Sequence, residues 1–223
     1  MIFHRTTDVP TVTAAWRVTP LLMGLLFLTA ASLAAAHDVS AAVPPGPVGV
    51  IQRFQDSLLT VMKQAQTLGY EGRYKQLAPV ITATHDLETI ARVSVGQYWG
   101  KLSDTQRNKL VDTFTRLSIA TYAARFDGYS GETFSTPTLG RQNGVRALVK
   151  TDLTTSDGEK ISFVYQLHKT DEQWRIVNII TNGVSDLAMK RAEYTSIIEK
   201  DGFDSLITKL KQKIEQYRKE STA

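Results

Sequence analysis

The chain has 223 residues, 42% of them hydrophobic, which is enough for one well-packed domain and short for two. Its 26 basic and 22 acidic residues are scattered rather than gathered into a stripe, which argues against nucleic acid as a partner. The lack of cysteine excludes disulfides, thiolate metal sites and a cysteine nucleophile, and leaves the compartment to be read from other features.

Arg5 and Arg17 precede an apolar run at residues 21–33, and Ala34, Ala35 and Ala36 close it before His37 and Asp38, which is the layout of a secretory signal. A transmembrane anchor needs about 20 apolar residues, more than this run supplies, and no stop-transfer charges follow it. Residues 1–36 are therefore read as a cleaved signal peptide, which leaves a mature chain with 24 basic and 21 acidic residues in the periplasm. The string AAVPPGPVG, at residues 41–49, makes residues 37–49 a flexible leader. A single domain is expected over residues 50–218, with 219–223 as a tail.

Ile51, Phe54, Leu58, Met62 and Ala65 recur at helical spacing, with Gly69 as the expected stop. Leu77, Val80 and Ile81 suggest a second, short helix. Asp86 can cap a third that carries Leu87, Ile90, Ala91 and Val95. Ser103 and Gln106 have capping-box spacing, and Leu110, Phe114, Leu117, Tyr122 and Phe126 then give a helix with a wide apolar side. After Gly128 and Gly131 the period changes to two, so a helical half gives way to a sheet half.

Between residues 145 and 181 three runs alternate, and the turns between them set the register. A three-residue loop at 156–158, with Gly158 left-handed, places Val149 opposite Tyr165, Ala147 opposite Leu167 and Leu153 opposite Ile161. A two-residue turn would set Val149 against Gln166, so the apolar pattern favours the longer loop. A four-residue loop at 170–173 then sets Leu167 beside Ile176 and Phe163 beside Ile180. One face collects Val145, Ala147, Val149, Phe163, Tyr165, Leu167, Trp174 and Ile176. The other mixes Leu148, Val164, Val177 and Ile179 with Arg146, Lys150, Gln166, His168 and Arg175. The helical period returns after Gly183, stops at Gly202, and resumes in a last helix with the stripe Phe203, Leu206, Ile207, Leu210, Ile214 and Tyr217. The fold class is α+β.

Chemistry is sparse. No nucleophile elbow, phosphate-binding loop, paired-histidine zinc motif or dinucleotide fingerprint is present. His85, Asp86 and Glu88 are too close in sequence to converge on a metal, so no metal and no cofactor is expected. A cone-shaped isomerase or hydrolase would use Asp152 with Tyr165, but the expected register puts these on opposite faces. The chain is read as a non-enzyme.

The string WRIVNIITNGVSDLAMKRAEY at residues 174–194, with GFDSLITKLKQK from Gly202, resembles the MlaC family of periplasmic lipid carriers of Gram-negative bacteria. YAARFDGYSGETF at residues 122–134, YKQLAPVI from Tyr74 and the RAEY motif look like its hopanoid-associated HpnM subgroup. The resemblance covers about residues 48–213, and Asn178 departs from it, since the wider family often has Asp in the tryptophan strand. It implies a helical shell on a mostly antiparallel, twisted sheet enclosing an apolar cavity. It also implies transfer of a phospholipid or hopanoid between inner and outer membranes, with membrane transport machinery as partners and a monomeric carrier. The residues expected to line the cavity are Leu77, Ile81, Phe114, Leu117, Tyr122, Phe126, Val149, Phe163, Tyr165, Leu167, Trp174 and Ile176. The alternative for the same residues is a solid core in a non-catalytic adaptor. Residues 125–131 are expected to border a cavity mouth, and Lys209, Lys211, Lys213, Arg218 and Lys219 of the last helix to offer an electrostatic contact to a membrane or an acidic partner.

Overall fold

The computed structural model describes residues 45–221, so the expected signal peptide, most of the expected leader and the last two residues lie outside the described residues. The first helix, α1 (Pro47–Lys63), starts inside the expected leader. Gly46 adopts an extended cap conformation there, and Pro47 occupies the first turn, where a missing N–H costs nothing. The expected stop at Gly69 falls inside α2 (Ala65–Thr84). A short turn at its start breaks at Gly69, whose φ of 57° suits glycine, and the helix proper continues to Thr84. This makes the second helix longer than the sequence suggested.

Asp86 caps α3 (Leu87–Ser94) as expected, accepting a hydrogen bond from the Thr89 N–H at 2.8 Å. A short 3-10 turn, Gly96–Lys101, leads to α4 (Asp104–Arg125), where Ser103 and Gln106 complete a reciprocal capping box.

The sheet holds β1 (Thr133–Phe134), β2 (Thr138–Asn143), β3 (Arg146–Thr154), β4 (Lys160–Thr170), β5 (Gln173–Thr181) and β6 (Val184–Ser185). All pairings are antiparallel, in the order β1-β3-β4-β5-β6, with β2 also paired to β3. The β3–β4 register matches expectation: Val149 faces Tyr165, Ala147 faces Leu167 and Leu153 faces Ile161, and Gly158 has φ 87°. The β4–β5 turn is tighter than expected. Thr170 pairs with Gln173, and only Asp171 and Glu172 turn, both left-handed. Leu167 faces Ile176 as expected, but a bulge then shifts the register by one residue, so Phe163 meets Thr181 rather than Ile180. Ile179 thereby pairs with Tyr165 and joins the face expected to exclude it. Val145 leaves that face, since it sits in the β2–β3 turn, 59% exposed.

Two helices complete the fold, α5 (Asp186–Asp201) and α6 (Phe203–Glu220), separated by Gly202 at φ 84°. α1 and α2 lie on the sheet through β3 and β5, α4 packs on α2, α3 and α6, and α5 touches α3, β5 and α6. Asn178 explains why the bulge is held. Its carbonyl accepts the Leu187 N–H at the start of α5, while its amide donates to Gln166 and Ser185 at 3.0 Å. Among the described residues no helix is long and apolar enough to cross a membrane.

The Asp86 carboxylate also binds His168 Nε2 at 2.5 Å, tying the helix start to β4. Burial opposes ionisation of Asp86, but the hydrogen bonds from Thr89 and His168 outweigh it and hold the carboxyl below its usual range. Its contribution is therefore present above the ordinary carboxylate range and is lost as pH falls through the depressed value. Asp86→Ala should cost about 2 kcal/mol in urea unfolding at neutral pH, and Asp86→Asn, which keeps a capping oxygen, less than half of that. Equal losses for the two variants would assign the whole effect to the charge.

Candidate functional site

The candidate site is built around Phe54, which projects from α1 and is 1% exposed. Its ring meets His85 edge-on at 5.0 Å, Tyr122 at 5.3 Å and Tyr165 at 6.3 Å. From Tyr122 a stacked contact of 5.8 Å leads to Phe126 at the end of α4. From Tyr165 a stacked contact of 6.0 Å leads to Phe163, and Phe134 lies 6.4 Å beyond it. Phe126, Phe134 and Phe163 are only partly buried, so the rings form a path from the surface to the centre of the core. Offset and edge-on pairs of this kind each add about 1 kcal/mol beyond area burial.

The expected residues divide by position. Tyr122, Phe126, Phe163 and Tyr165 are members of the aromatic path. Val149, opposite Tyr165, and Leu167, between Ala147 and Ile176, form the sheet floor beside it. Leu77 and Ile81 on α2, Phe114 and Leu117 on α4, and Trp174 and Ile176 on β5 are buried in the same core. None of the twelve lines either of two hollows on the described surface. One, of about 630 Å³, runs between α1 and α2 past Gln52, Arg53, Asp56 and Gln76. The other, of about 620 Å³, lies along α6 past Thr208, Lys211 and Glu215. The aromatic rings of Phe54, Tyr122 and Tyr165 meet between α1, α4 and the sheet.

Phe54, Phe134, His85 and Gln55 belong to this region and were not among the expected site residues. Phe54 was visible as one member of a helical stripe. Gln55 lies four residues after Ile51 and three before Leu58, on the same helix face, and is 1% exposed. Neither atom of its amide has a hydrogen-bond partner among the described residues. The amide approaches the Tyr165 hydroxyl closely enough to ease its ionisation slightly, yet without the geometry of a hydrogen bond. Burial dominates and keeps that hydroxyl protonated.

His85 is held by α2 and by a backbone contact of the following Asp86 N–H to the Ile176 carbonyl at 2.9 Å. Its Nδ1 lies 3.0 Å from the Thr84 hydroxyl and its Nε2 3.4 Å from the Tyr122 hydroxyl. Burial lowers its pKa to about 4, so the ring is neutral at physiological pH. Burial likewise raises the Tyr122 hydroxyl well above its ordinary value. Asp86 turns instead toward His168, so the three acid and imidazole groups at 85–88 do not converge. Asp152 pairs with Ser162, out of phase with Tyr165, which keeps that couple on opposite sides of the sheet. What remains is a neutral, aromatic-lined interior with polar atoms that neither gain nor lose protons near pH 7.

The MlaC protein family matches residues 52–212, most of the chain and nearly all of the described domain. The chain belongs to the MlaC family. This MlaC-family chain is 26% identical over 137 residues to the intermembrane phospholipid transport system binding protein MlaC of Haemophilus influenzae. That match covers 59% of this chain and 63% of the relative. It is 23% identical over 135 residues to the toluene tolerance protein ttg2D of Pseudomonas putida, covering 60% and 61%. The chain thus spans about three-fifths of the length of these curated relatives. A phospholipid-binding protein from Ralstonia solanacearum, solved in complex with a phospholipid, superposes with a TM-score of 0.69 at 17% identity, covering 78% of this chain and 99% of that one. At that identity the superposition establishes the shared α+β fold.

The remaining expectations concern the surface. In the segment after α4, Gly131 has φ 113°, and the Tyr129 ring, 40% exposed, lies under Lys63 Nζ at 5.3 Å. The loop therefore sits against the end of α1, next to Phe126. On α6, two of the five basic residues make exposed ion pairs, Lys209 with Asp201 at 2.8 Å and Arg218 with Glu215 at 2.9 Å.

Proposed function

We propose that this protein is a non-catalytic periplasmic carrier that takes up one phospholipid or hopanoid and moves it between the inner and outer membranes. The observation that carries the reading is the path of aromatic rings from half-buried Phe126, Phe134 and Phe163 to fully buried Phe54. In an MlaC-family fold, whose relatives include a phospholipid transport binding protein and a phospholipid-bound neighbour, such a path supports entry of a lipid tail. The twelve residues expected to line the cavity are proposed to separate around the ligand, with residues 125–131 at the mouth. Burial of a dozen methylenes contributes roughly 10 kcal/mol, which holds a water-insoluble lipid without a covalent bond. The HpnM-like strings YAARFDGYSGETF and RAEY favour the hopanoid-associated subgroup. The signal-like residues 1–36 support export, and membrane transport machinery at both ends of the route completes the reading.

A second reading, an adaptor with a solid core, is favoured by one observation: most of the expected lining residues, Leu77, Phe114 and Ile176 among them, belong to one buried hydrophobic cluster. Lipid extraction separates the two. The protein purified from its own periplasm should carry close to one lipid per chain by mass spectrometry, and the delipidated protein should regain it from vesicles. Recovery of no lipid together with no uptake from vesicles of phospholipid or hopanoid would leave the adaptor standing.

A further inference from the structure

We propose that the Gln55 side-chain amide is a hydrogen-bonding anchor inside the lipid site, recognising a neutral oxygen, an ester carbonyl or a hydroxyl, carried on the apolar body of the ligand. This rests on the carrier reading above. The amide is 1% exposed and both its oxygen and its nitrogen lack a partner among the described residues. Buried polar side-chain atoms are almost always bonded, so a buried amide with both ends free is an exception that calls for a role. A side chain kept only for packing at this helix position would be leucine or methionine, which fill the same volume with no polar atom to bury.

Its surroundings say what it can bind. Gln55 follows Phe54, whose ring joins Tyr122 and Tyr165, and its amide faces the Tyr165 hydroxyl at the inner end of the aromatic path. On the other side of the Phe54 ring, the Tyr122 hydroxyl lies 3.4 Å from the neutral His85 ring. The groups that meet Phe54 here, His85, Tyr122 and Tyr165, are all uncharged at neutral pH, so a phosphate or an ammonium finds no counter-ion among them and a neutral oxygen is favoured. A neutral oxygen is different. An ester carbonyl accepts from the Gln55 Nε2, and a hydroxyl can in addition donate to Oε1. An amide at this depth therefore fixes how far a lipid inserts, because its oxygen must stop level with Gln55 while its charged end stays toward the solvent.

Competition binding on the delipidated, full mature chain tests this with two pairs of probes. The first pair is a diester phosphatidylglycerol and its diether counterpart of equal chain length. The second is a pentacyclic triterpenoid alcohol and the corresponding hydrocarbon. The wild type should prefer the oxygen-bearing member of at least one pair by about tenfold, the usual effect of one buried hydrogen bond. The pair that shows the preference identifies the oxygen. Gln55→Leu and Gln55→Met should reduce the preference to about twofold or less while keeping affinity for the ether or the hydrocarbon. Their melting temperatures should equal or exceed the wild type's, since an unbonded buried amide has been removed. A wild type that binds both members of each pair equally overturns the anchor and leaves the carrier reading in place. Retention of the preference in both variants also overturns it. A wild type that binds none of the four probes overturns the carrier reading and the anchor together.

Discussion

Acidification from pH 7 to pH 4 should destabilise the folded domain by roughly 3 kcal/mol through His85 alone. The imidazole is buried between Phe54, Tyr122 and the Ile176 strand, and burial lowers its pKa to about 4 from the ordinary 6.5. Between these two values the unfolded chain binds a proton that the native state refuses, so stability falls as pH drops below about 6.5 and levels off once the native ring also charges. The effect of Asp86 lies lower, because that carboxylate is held below its usual range, and the two windows barely overlap. Urea midpoints of the wild type and His85→Leu, measured at several values between pH 7 and pH 4, would isolate the contribution. The wild type should lose stability faster than the variant across that interval. Parallel curves would show that the ring is either solvated or charged in the native state.

The sheet illustrates what the sequence could and could not specify. The β3–β4 register was legible because one face is apolar apart from Thr151: a slip of one residue would set Val149 against Gln166 and turn Tyr165 away from the core. The bulge near Val177 was not legible. Residues 176–180 read Ile, Val, Asn, Ile, Ile, so a shift of register exchanges one apolar residue for another and the pattern barely registers it. What decides the register there is Asn178, whose bonds to Gln166, Ser185 and the start of α5 are long-range facts. β2 escaped notice for a simpler reason. All six of its residues, TLGRQN, are exposed, and a strand with no buried face has no alternation to read.

The candidate site was partly legible for a related reason. Residues such as Tyr165, Leu167 and Ile176 were found because burial on one face is periodic, and periodicity is visible in sequence. Packing between elements is not periodic, so the meeting of Phe54 with His85, Tyr122 and Tyr165 from four different elements left no local trace. Gln55 is the sharper case. A glutamine inside a helical stripe ordinarily reads as the edge of the polar face, and only its complete burial without a partner separates it from the exposed Gln52 three residues earlier.

Replacing Arg73 with methionine should cost about 3 kcal/mol, the largest single loss expected outside the aromatic path. The residue is 4% exposed on α2, and its Nε donates to the Ala123 carbonyl at 2.7 Å while Nη1 donates to the Ala65 carbonyl at 3.1 Å. Both acceptors need it. Ala123 lies in the last turn of α4, where carbonyls lack intrahelical donors, and Ala65 precedes the break at Gly69. Two effects compete on removal. Loss of a buried cation relieves its desolvation, but guanidinium is weakly hydrated for its charge, and the negative end of α4 already offsets part of that penalty. Each charge-assisted bond contributes about 1.5–3 kcal/mol, and two orphaned carbonyls remain behind in the variant, so the loss outweighs the relief. Arg73→Lys should recover only part of the stability, because one ammonium cannot reach two carbonyls from the positions of a planar fork. Since Ala123 is three residues before Phe126, loosening the end of α4 should also raise hydrogen exchange at residues 123–131. Chemical denaturation gives the first quantity and exchange mass spectrometry the second. A methionine variant within about 1 kcal/mol of the wild type, with unchanged exchange there, would mean that other groups already satisfy these carbonyls.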